Sequence, residues 1–175
     1  MKYRICSLVF FLFIIVCLSA CNPAAAPHSN VDFSAQIIRT DEIVTDAEGE
    51  FPDCLVIRSY DALQSYYTER QSQFQFTQLS RACDPSAADF HTAIVQYSEA
   101  WFETHDLLLA RVREAKGSVT LQVSTVTHKS DPAQWVVSVK ETIPASTSDD
   151  MAFWHILIAV DKCECPPHDA TVILH

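Results

Sequence analysis

The second half of this chain alternates between apolar and polar residues, and that period of two constrains the fold more than any other feature. The alternation is clearest over residues 118–126, 134–141 and 152–160, and shorter apolar stretches occupy 107–113 and 170–174. Alternating segments joined by short connections are typical of an antiparallel β-meander. The sequence therefore predicts a sheet that occupies most of the chain beyond residue 106.

Helical spacing precedes this sheet. A first strand is predicted at 54–58, followed by a helix at 61–70 that Asp61 caps. A second helix is predicted at 85–104, where Asp84 precedes Pro85 and a stripe of apolar residues recurs at helical spacing; the stripe is Phe90, Ile94, Tyr97 and Trp101. The predicted class is α+β, with two helices packed on one face of an antiparallel meander of about five to six strands.

The chain begins with a basic start, Lys2 and Arg4, and an uncharged apolar run over residues 5–20. This layout is that of a secretory signal. Because a cysteine directly follows Leu-Ser-Ala at 18–20, the segment resembles the lipoprotein signal of bacteria. The resemblance implies cleavage after Ala20 and a diacylglycerol on Cys21, which would anchor the protein to the extracytoplasmic face of the cell membrane. The alternative is an uncleaved transmembrane anchor, for which the run is shorter than the usual span of about 20 residues.

The same resemblance divides the chain into three parts. Residues 1–20 are the removed signal peptide, 21–31 are the lipidated cysteine and a Pro/Ala-rich tether, and 32–175 are a single α+β domain. The leader carries two basic and no acidic residues, so its removal changes the net charge from −10 to −12. An acidic chain is not expected to bind nucleic acid, whose phosphates would repel it.

Several enzyme motifs are missing from the sequence. The only glycines are Gly49 and Gly117, which cannot form the glycine-rich loops that bind nucleotide phosphates. The chain also lacks G-x-S-x-G and H-E-x-x-H. We therefore expect no enzymatic activity and no cofactor.

The four cysteines beyond the lipidation site are Cys54, Cys83, Cys163 and Cys165. An even number in an exported domain predicts disulfides. A direct bond between Cys163 and Cys165 would be strained, so Cys54 and Cys83 are expected to pair with these two, in either of two combinations. The alternative is a zinc or copper site at Cys163, Cys165 and His168, whose thiolates and imidazole are soft ligands.

The other histidines form no catalytic constellation in the sequence. His155 lies on the side of the 152–160 strand opposite Trp154 and Ile156, and we expect it at the surface of a half-exposed sheet. That side also carries Phe153 and Leu157. Because exposed apolar residues that cluster can mark an interface, Phe153, His155 and Leu157 are the candidate binding surface.

Two family resemblances bear on function. Gly117 opens an alternating strand, and Val137, Val139 and Pro144 precede a final apolar strand. This pattern resembles the C-terminal module of the PrcB-like family, accessory lipoprotein subunits of a spirochaete protease complex. The chain departs from that family at residues 151–154, where a Thr/Pro turn is usual. The segments 56–60, 97–102 and 107–109 also resemble uncharacterised secreted proteins of low-GC Gram-positive bacteria.

The PrcB-like resemblance implies a non-catalytic role that supports a protein partner. The leading hypothesis is therefore a membrane-anchored, non-enzymatic lipoprotein that binds or stabilises another exported protein. One alternative is a metal- or thiol-dependent activity at Cys163, Cys165 and His168. The other is a lipoprotein that binds a small ligand.

Overall fold

The protein is organised in three layers, a helix layer and two β-sheets. The computed structural model describes residues 29–40, 51–77, 89–146, 150–164 and 166–175. The described strands, in chain order, are β1 (Ser29–Asn30), β2 (Phe33–Thr40), β3 (Asp53–Ile57), β4 (His105–Glu114), β5 (Thr120–Ser130), β6 (Ala133–Thr142), β7 (Ala152–Asp161) and β8 (Asp169–Leu174).

The strands form two four-stranded sheets. The central sheet has the order β2-β7-β4-β3, and each of its neighbouring strands is antiparallel. The outer sheet has the order β1-β5-β6-β8, in which β6 and β8 are parallel. A parallel pair needs a crossover rather than a hairpin. The chain makes that crossover by passing through β7 of the central sheet between β6 and β8.

Two helices lie in the described part of the chain, α1 (Tyr60–Arg70) and α2 (Phe90–Ile94), and a 3-10 turn spans Trp101–Glu103. The Ser59 hydroxyl caps α1 by accepting from the Ala62 amide, and the Asp89 carboxylate caps α2 by accepting from Thr92. We call α1, α2 and residues 74–76 the helix layer. Among the described residues, no helix combines the length and hydrophobicity needed to cross a bilayer.

Each face of the central sheet packs on its own apolar layer, because successive side chains of a strand point to opposite faces. The helix–sheet layer lies between the helix layer and the central sheet and contains Leu63, Phe74, Phe90, Leu107, Leu109 and Leu157, among others. The sheet–sheet layer lies between the two sheets and contains Leu108, Val126, Trp135, Val137, Ile156 and Ile158, among others. β4 and β7 are therefore covered on both faces.

The predicted class is confirmed in its main points, since the described chain is α+β, has mostly antiparallel strands and has two helices. The prediction of one meander is wrong, because eight described strands form two sheets. The alternation shows which side chains share a face but not which strands pair. The strand β2 was not predicted.

The prediction of a continuous helix at 85–104 is also wrong. In the described part of that range, only Phe90–Ile94 is α-helical and Trp101–Glu103 forms a 3-10 turn. The Ser98 hydroxyl accepts a hydrogen bond from the Trp101 amide and so competes with a continuing helix. The apolar stripe is nevertheless buried, because Phe90, Ile94 and Tyr97 all lie in the helix–sheet layer. Residues 84 and 85 lie outside the described residues.

The leader, Cys21 and most of the predicted tether also lie outside the described residues. The end of the predicted tether is an exception, because Ser29 and Asn30 form β1 and pair with His128 and Thr127 of β5. These two residues belong to the folded domain. The division of the chain into leader, tether and domain stays a prediction.

Candidate functional site

The residues of the predicted binding surface are buried. Phe153 is 2% exposed, and His155 and Leu157 are fully buried. The prediction was wrong because β7 lies inside the central sheet and the helix layer covers the face that was expected to meet solvent. These side chains instead surround the most polar part of the protein's interior.

His155 is hydrogen-bonded through both ring nitrogens. Its Nδ1 lies 2.7 Å from the Thr40 hydroxyl of β2, and its Nε2 lies 2.7 Å from the Tyr66 hydroxyl of α1. Aromatic rings enclose the imidazole, with centroids 4.8 Å away for Phe74, 5.1 Å for Phe90 and 5.3 Å for Phe76. A polar group without water requires such partners to avoid a large desolvation penalty.

Arg111 is the charged neighbour of His155. The two residues are direct cross-strand partners on β4 and β7. The Arg111 Nε donates to Asp53 Oδ1 at 2.7 Å, and its Nη2 donates to Asp53 Oδ2, which makes the ion pair bidentate. The guanidinium carbon lies 5.1 Å from the centre of the Phe51 ring, and the positive charge also acts on the Tyr66 hydroxyl.

The Arg111 charge favours one direction for the hydrogen bonds of the cluster. A positive charge beside Tyr66 favours the arrangement in which the phenol oxygen faces Arg111 and its hydrogen points to His155 Nε2. The remaining Nδ1–H then donates to Thr40. We call this chain of Asp53, Arg111, Tyr66, His155 and Thr40 the polar string.

Burial and charge keep the string in one protonation state. Burial, with a smaller contribution from the Arg111 charge, holds the pKa of His155 well below its ordinary value. Burial also raises the pKa of Tyr66. Both groups are therefore neutral at pH 7. The imidazole is fully buried, so the arrangement is suited to holding α1 on the central sheet rather than to transferring a proton to a substrate.

A second polar cluster lies near the ends of β3 and β4. Arg58 donates to His168 Nδ1 at 3.2 Å, to the Pro166 carbonyl at 3.3 Å and to the Pro167 carbonyl. Its Nε lies 3.8 Å from the carboxylate of Asp106, which is 1% exposed. Burial raises the pKa of Asp106, and the charges of Arg58 and Lys162 oppose that rise. Arg58 thus holds the segment that leads into β8.

A carboxyl pair lies at the opposite end of the sheets. Glu114 of β4 and Glu141 of β6 interact by a hydrogen bond and by charge. Burial first, and then the charge of Glu141, raise the pKa of Glu114 to about 7. Two carboxylates this close cannot both ionise without repulsion, so the pair retains a proton up to about neutral pH.

The cysteine predictions are only partly within the described residues. Cys54 is half-buried against the sheet–sheet layer, where desolvation raises its pKa, and it forms no disulfide with a described residue. Cys163 packs against the same layer. Cys83 and Cys165 lie outside the described residues, as does the lipidation site Cys21. Cys54 and Cys163 are not bonded to each other, so the structure does not form the combination that includes this pair. The other combination, Cys54 with Cys165 and Cys83 with Cys163, stays a prediction.

The predicted metal site stays a prediction for the same reason. In the described ranges, no group of three or more His, Cys, Asp or Glu side chains could hold a metal ion. His168 Nδ1 accepts from Arg58, which leaves Nε2 as the ring nitrogen for any ligand. Completion of the site would require Cys165.

Sequence reasoning missed four members of the polar string, namely Thr40, Asp53, Tyr66 and Arg111. A signal for Arg111 was present, because it continues the side of β4 that carries Leu107 and Leu109. A charge at such an inward position requires a buried partner. Asp53, its cross-strand neighbour, could not be identified before the pairing of β3 with β4 was known.

Comparison with protein-family models, curated proteins and solved structures finds no significant match to this chain.

Proposed function

We propose that this chain is a membrane-anchored extracytoplasmic lipoprotein that binds or stabilises another exported protein and has no enzymatic activity of its own. The observation that carries the proposal is the leader, in which Leu-Ser-Ala directly precedes Cys21 at the end of an apolar run. Such a signal places the mature protein outside the cytoplasm on a diacylglycerol anchor.

The interior chemistry agrees with a binding role. His155 is enclosed by aromatic rings and bonded through both nitrogens, so it offers no atom to a substrate. Arg58 and Arg111 hold the chain's own carbonyl and carboxylate groups. These residues are explained by stabilisation of the fold, without a reaction.

The anchor is tested with the full-length chain expressed in a bacterial host and labelled with an alkyne analogue of palmitate. We expect the wild-type protein to carry the label and to fractionate with membranes. Cys21→Ala should lose the label, whereas Cys17→Ala, which changes a cysteine inside the apolar run, should keep it. Label retained by Cys21→Ala would contradict lipidation at this residue.

The partner is tested by deleting the gene in its native host and measuring the abundance of exported proteins. We expect at least one exported protein to decline, to recover with the wild-type gene but not with Cys21→Ala, and to co-purify reciprocally with the lipoprotein. No change in abundance together with no reciprocal co-purification would contradict the binding role. Such a result would not contradict lipidation at Cys21.

A further inference from the structure

The helix layer depends on very few polar contacts with the central sheet. Few hydrogen bonds of the described side chains join it to the sheet: Tyr66 bonds His155, and Gln96, just beyond α2, donates to Gln36 at the surface. The helices span 11 and 5 residues. Isolated helices this short are marginal in water, so they persist by packing on the sheet.

We propose that His155 is an acid-sensitive latch, and that its protonation releases the helix layer from the central sheet and exposes the apolar face that carries Phe153 and Leu157. The proposal goes beyond the role in binding an exported protein and does not depend on lipidation.

Protonation of His155 disrupts the hydrogen-bond directions within the polar string. A neutral imidazole accepts a hydrogen at one ring nitrogen and donates from the other. An imidazolium donates from both nitrogens, so the hydroxyl that donates to the neutral ring, which is Tyr66 in the favoured arrangement, has to redirect its hydrogen. The rings of Phe76 and Phe90, which lie against Tyr66, offer its hydrogen no conventional acceptor.

The charges around His155 also oppose protonation. β4 presents Arg111, a cation directly across the strand pair, while β2 presents only the Thr40 hydroxyl. α1 presents the Tyr66 phenol, with the Arg70 cation beyond it, and β3 presents Asp53, which is already bound bidentately to Arg111.

On α2, Phe90 faces the imidazole, whereas His91 lies against Tyr67. In these described surroundings no other carboxylate contacts the ring to stabilise an imidazolium.

The sheet–sheet layer lacks this sensitivity. Its buried side chains are mainly aliphatic, and its carboxyl pair, Glu114 and Glu141, gains a proton as the pH falls. Acidification therefore removes repulsion between the sheets while it adds a charge beneath the helices. The expected response is local opening of the helix layer rather than global unfolding.

The test is hydrogen exchange by mass spectrometry on the intact protein at pH 7.5, 6.0 and 5.0, corrected for the pH dependence of chemical exchange. Below about pH 6.5 the opening equilibrium of α1 and α2 should rise by up to tenfold per pH unit, as expected for uptake of one proton. The amides of β5 and β6 should stay equally protected or become better protected. Equal loss of protection in α1 and β6, or unchanged protection of α1 at pH 5.0, would overturn the proposal.

His155→Gln should abolish the pH dependence of α1 exchange, because an amide can hydrogen-bond Tyr66 but does not titrate. The matched control is His91→Gln, which removes a histidine of α2 that contacts Tyr67 rather than the polar string. It should respond to pH as the wild type does. If His155→Gln does not fold, Tyr66→Phe in the same assay serves instead, since it should loosen α1 already at pH 7.5. A Tyr66→Phe protein with wild-type protection of α1 would contradict the latch.

Discussion

The two faces of the central sheet are stabilised in different ways. The sheet–sheet layer is an aliphatic interior formed by residues such as Val137, Ile156 and Ile158. The helix–sheet layer is rich in aromatic side chains and includes a fully buried histidine. Aliphatic packing requires only size and shape. The polar string additionally requires each donor to meet one particular acceptor, so the helix layer is positioned more specifically but is easier to disturb.

The two layers also respond to pH with opposite signs. The pKa of His155 is lowered in the fold, so its contribution to stability is fully present above its unfolded pKa and is lost as the pH falls below about 6.5. The pKa of Glu114 is raised to about 7, so the fold binds its proton more tightly and gains stability as the pH falls toward its unfolded value near 4.5. The unfolding free energy of the whole protein sums these two contributions, so it would conceal their opposite signs.

The largest expected effect comes from adjacent truncations on β7, Ile156→Ala in the sheet–sheet layer and Leu157→Ala in the helix–sheet layer. Both side chains are fully buried, so each variant should lose about 2–5 kcal/mol of unfolding free energy in urea titrations. The two should differ in hydrogen exchange. Leu157→Ala should selectively raise exchange in α1, and equal exchange of α1 in both variants would remove the distinction between the layers.

Arg111→Ala should be the next most destabilising change, at about 3 kcal/mol, because it leaves the Asp53 carboxylate without its bidentate donor. Asp53 retains some exposure, which limits the loss. The control is Lys140→Ala, an exposed cation of β6 that should change stability by less than about 0.5 kcal/mol. Similar unfolding free energies for the two variants would show that the ion pair is unimportant.

The effect of His155→Gln should depend on pH. Relative to this variant, the wild type should lose unfolding free energy between pH 7.5 and 5.0. The loss is at most about 2 kcal/mol, because about 1.4 kcal/mol is lost for each pH unit below 6.5 while the folded imidazole stays neutral. Parallel urea titrations of the two proteins measure this difference directly and cancel the contribution of Glu114. A constant difference across the range would mean that His155 does not take up its proton on unfolding.

The smallest effect is expected for Glu114→Gln. Removal of one carboxylate from the pair should raise the unfolding free energy by about 1 kcal/mol at pH 8, because solvent screens much of the repulsion with Glu141. The gain should disappear by pH 5, where the wild-type pair already holds its proton. A stabilisation of equal size at both pH values would point to a cause other than charge.

Local patterns predicted the elements well and their arrangement poorly. The alternation at 152–160 located β7 (Ala152–Asp161), and the apolar stretch at 170–174 located β8 (Asp169–Leu174). The helix at 61–70 matches α1, although the cap is Ser59 rather than Asp61. Alternation does not specify pairing partners, so neither the second sheet nor the parallel pairing of β6 with β8 could be derived.

The polar string could not be predicted from the sequence, because the pairing of the strands brings its residues together. The alternation of the 152–160 strand predicts one buried face, with Ile156 and Ile158, and therefore predicts that His155 on the other face is exposed. In an inner strand covered on both sides, apolar residues occur on both faces, and the apolar run from Ala152 to Val160 is the signal for that arrangement. Asp53 and Thr40 lie far from His155 in sequence, so only the fold brings them together.

The most direct test of the polar string is the protonation state of His155 in the native protein. Long-range ¹H–¹⁵N correlation spectra of histidine-labelled protein distinguish the two neutral tautomers from the imidazolium. The structure predicts that the His155 resonances at pH 7.5 are those of the Nδ1–H tautomer, with Nε2 unprotonated, and that His155→Gln removes them. An Nε2–H tautomer, or an imidazolium at pH 7.5, would contradict the hydrogen-bond directions on which the latch depends.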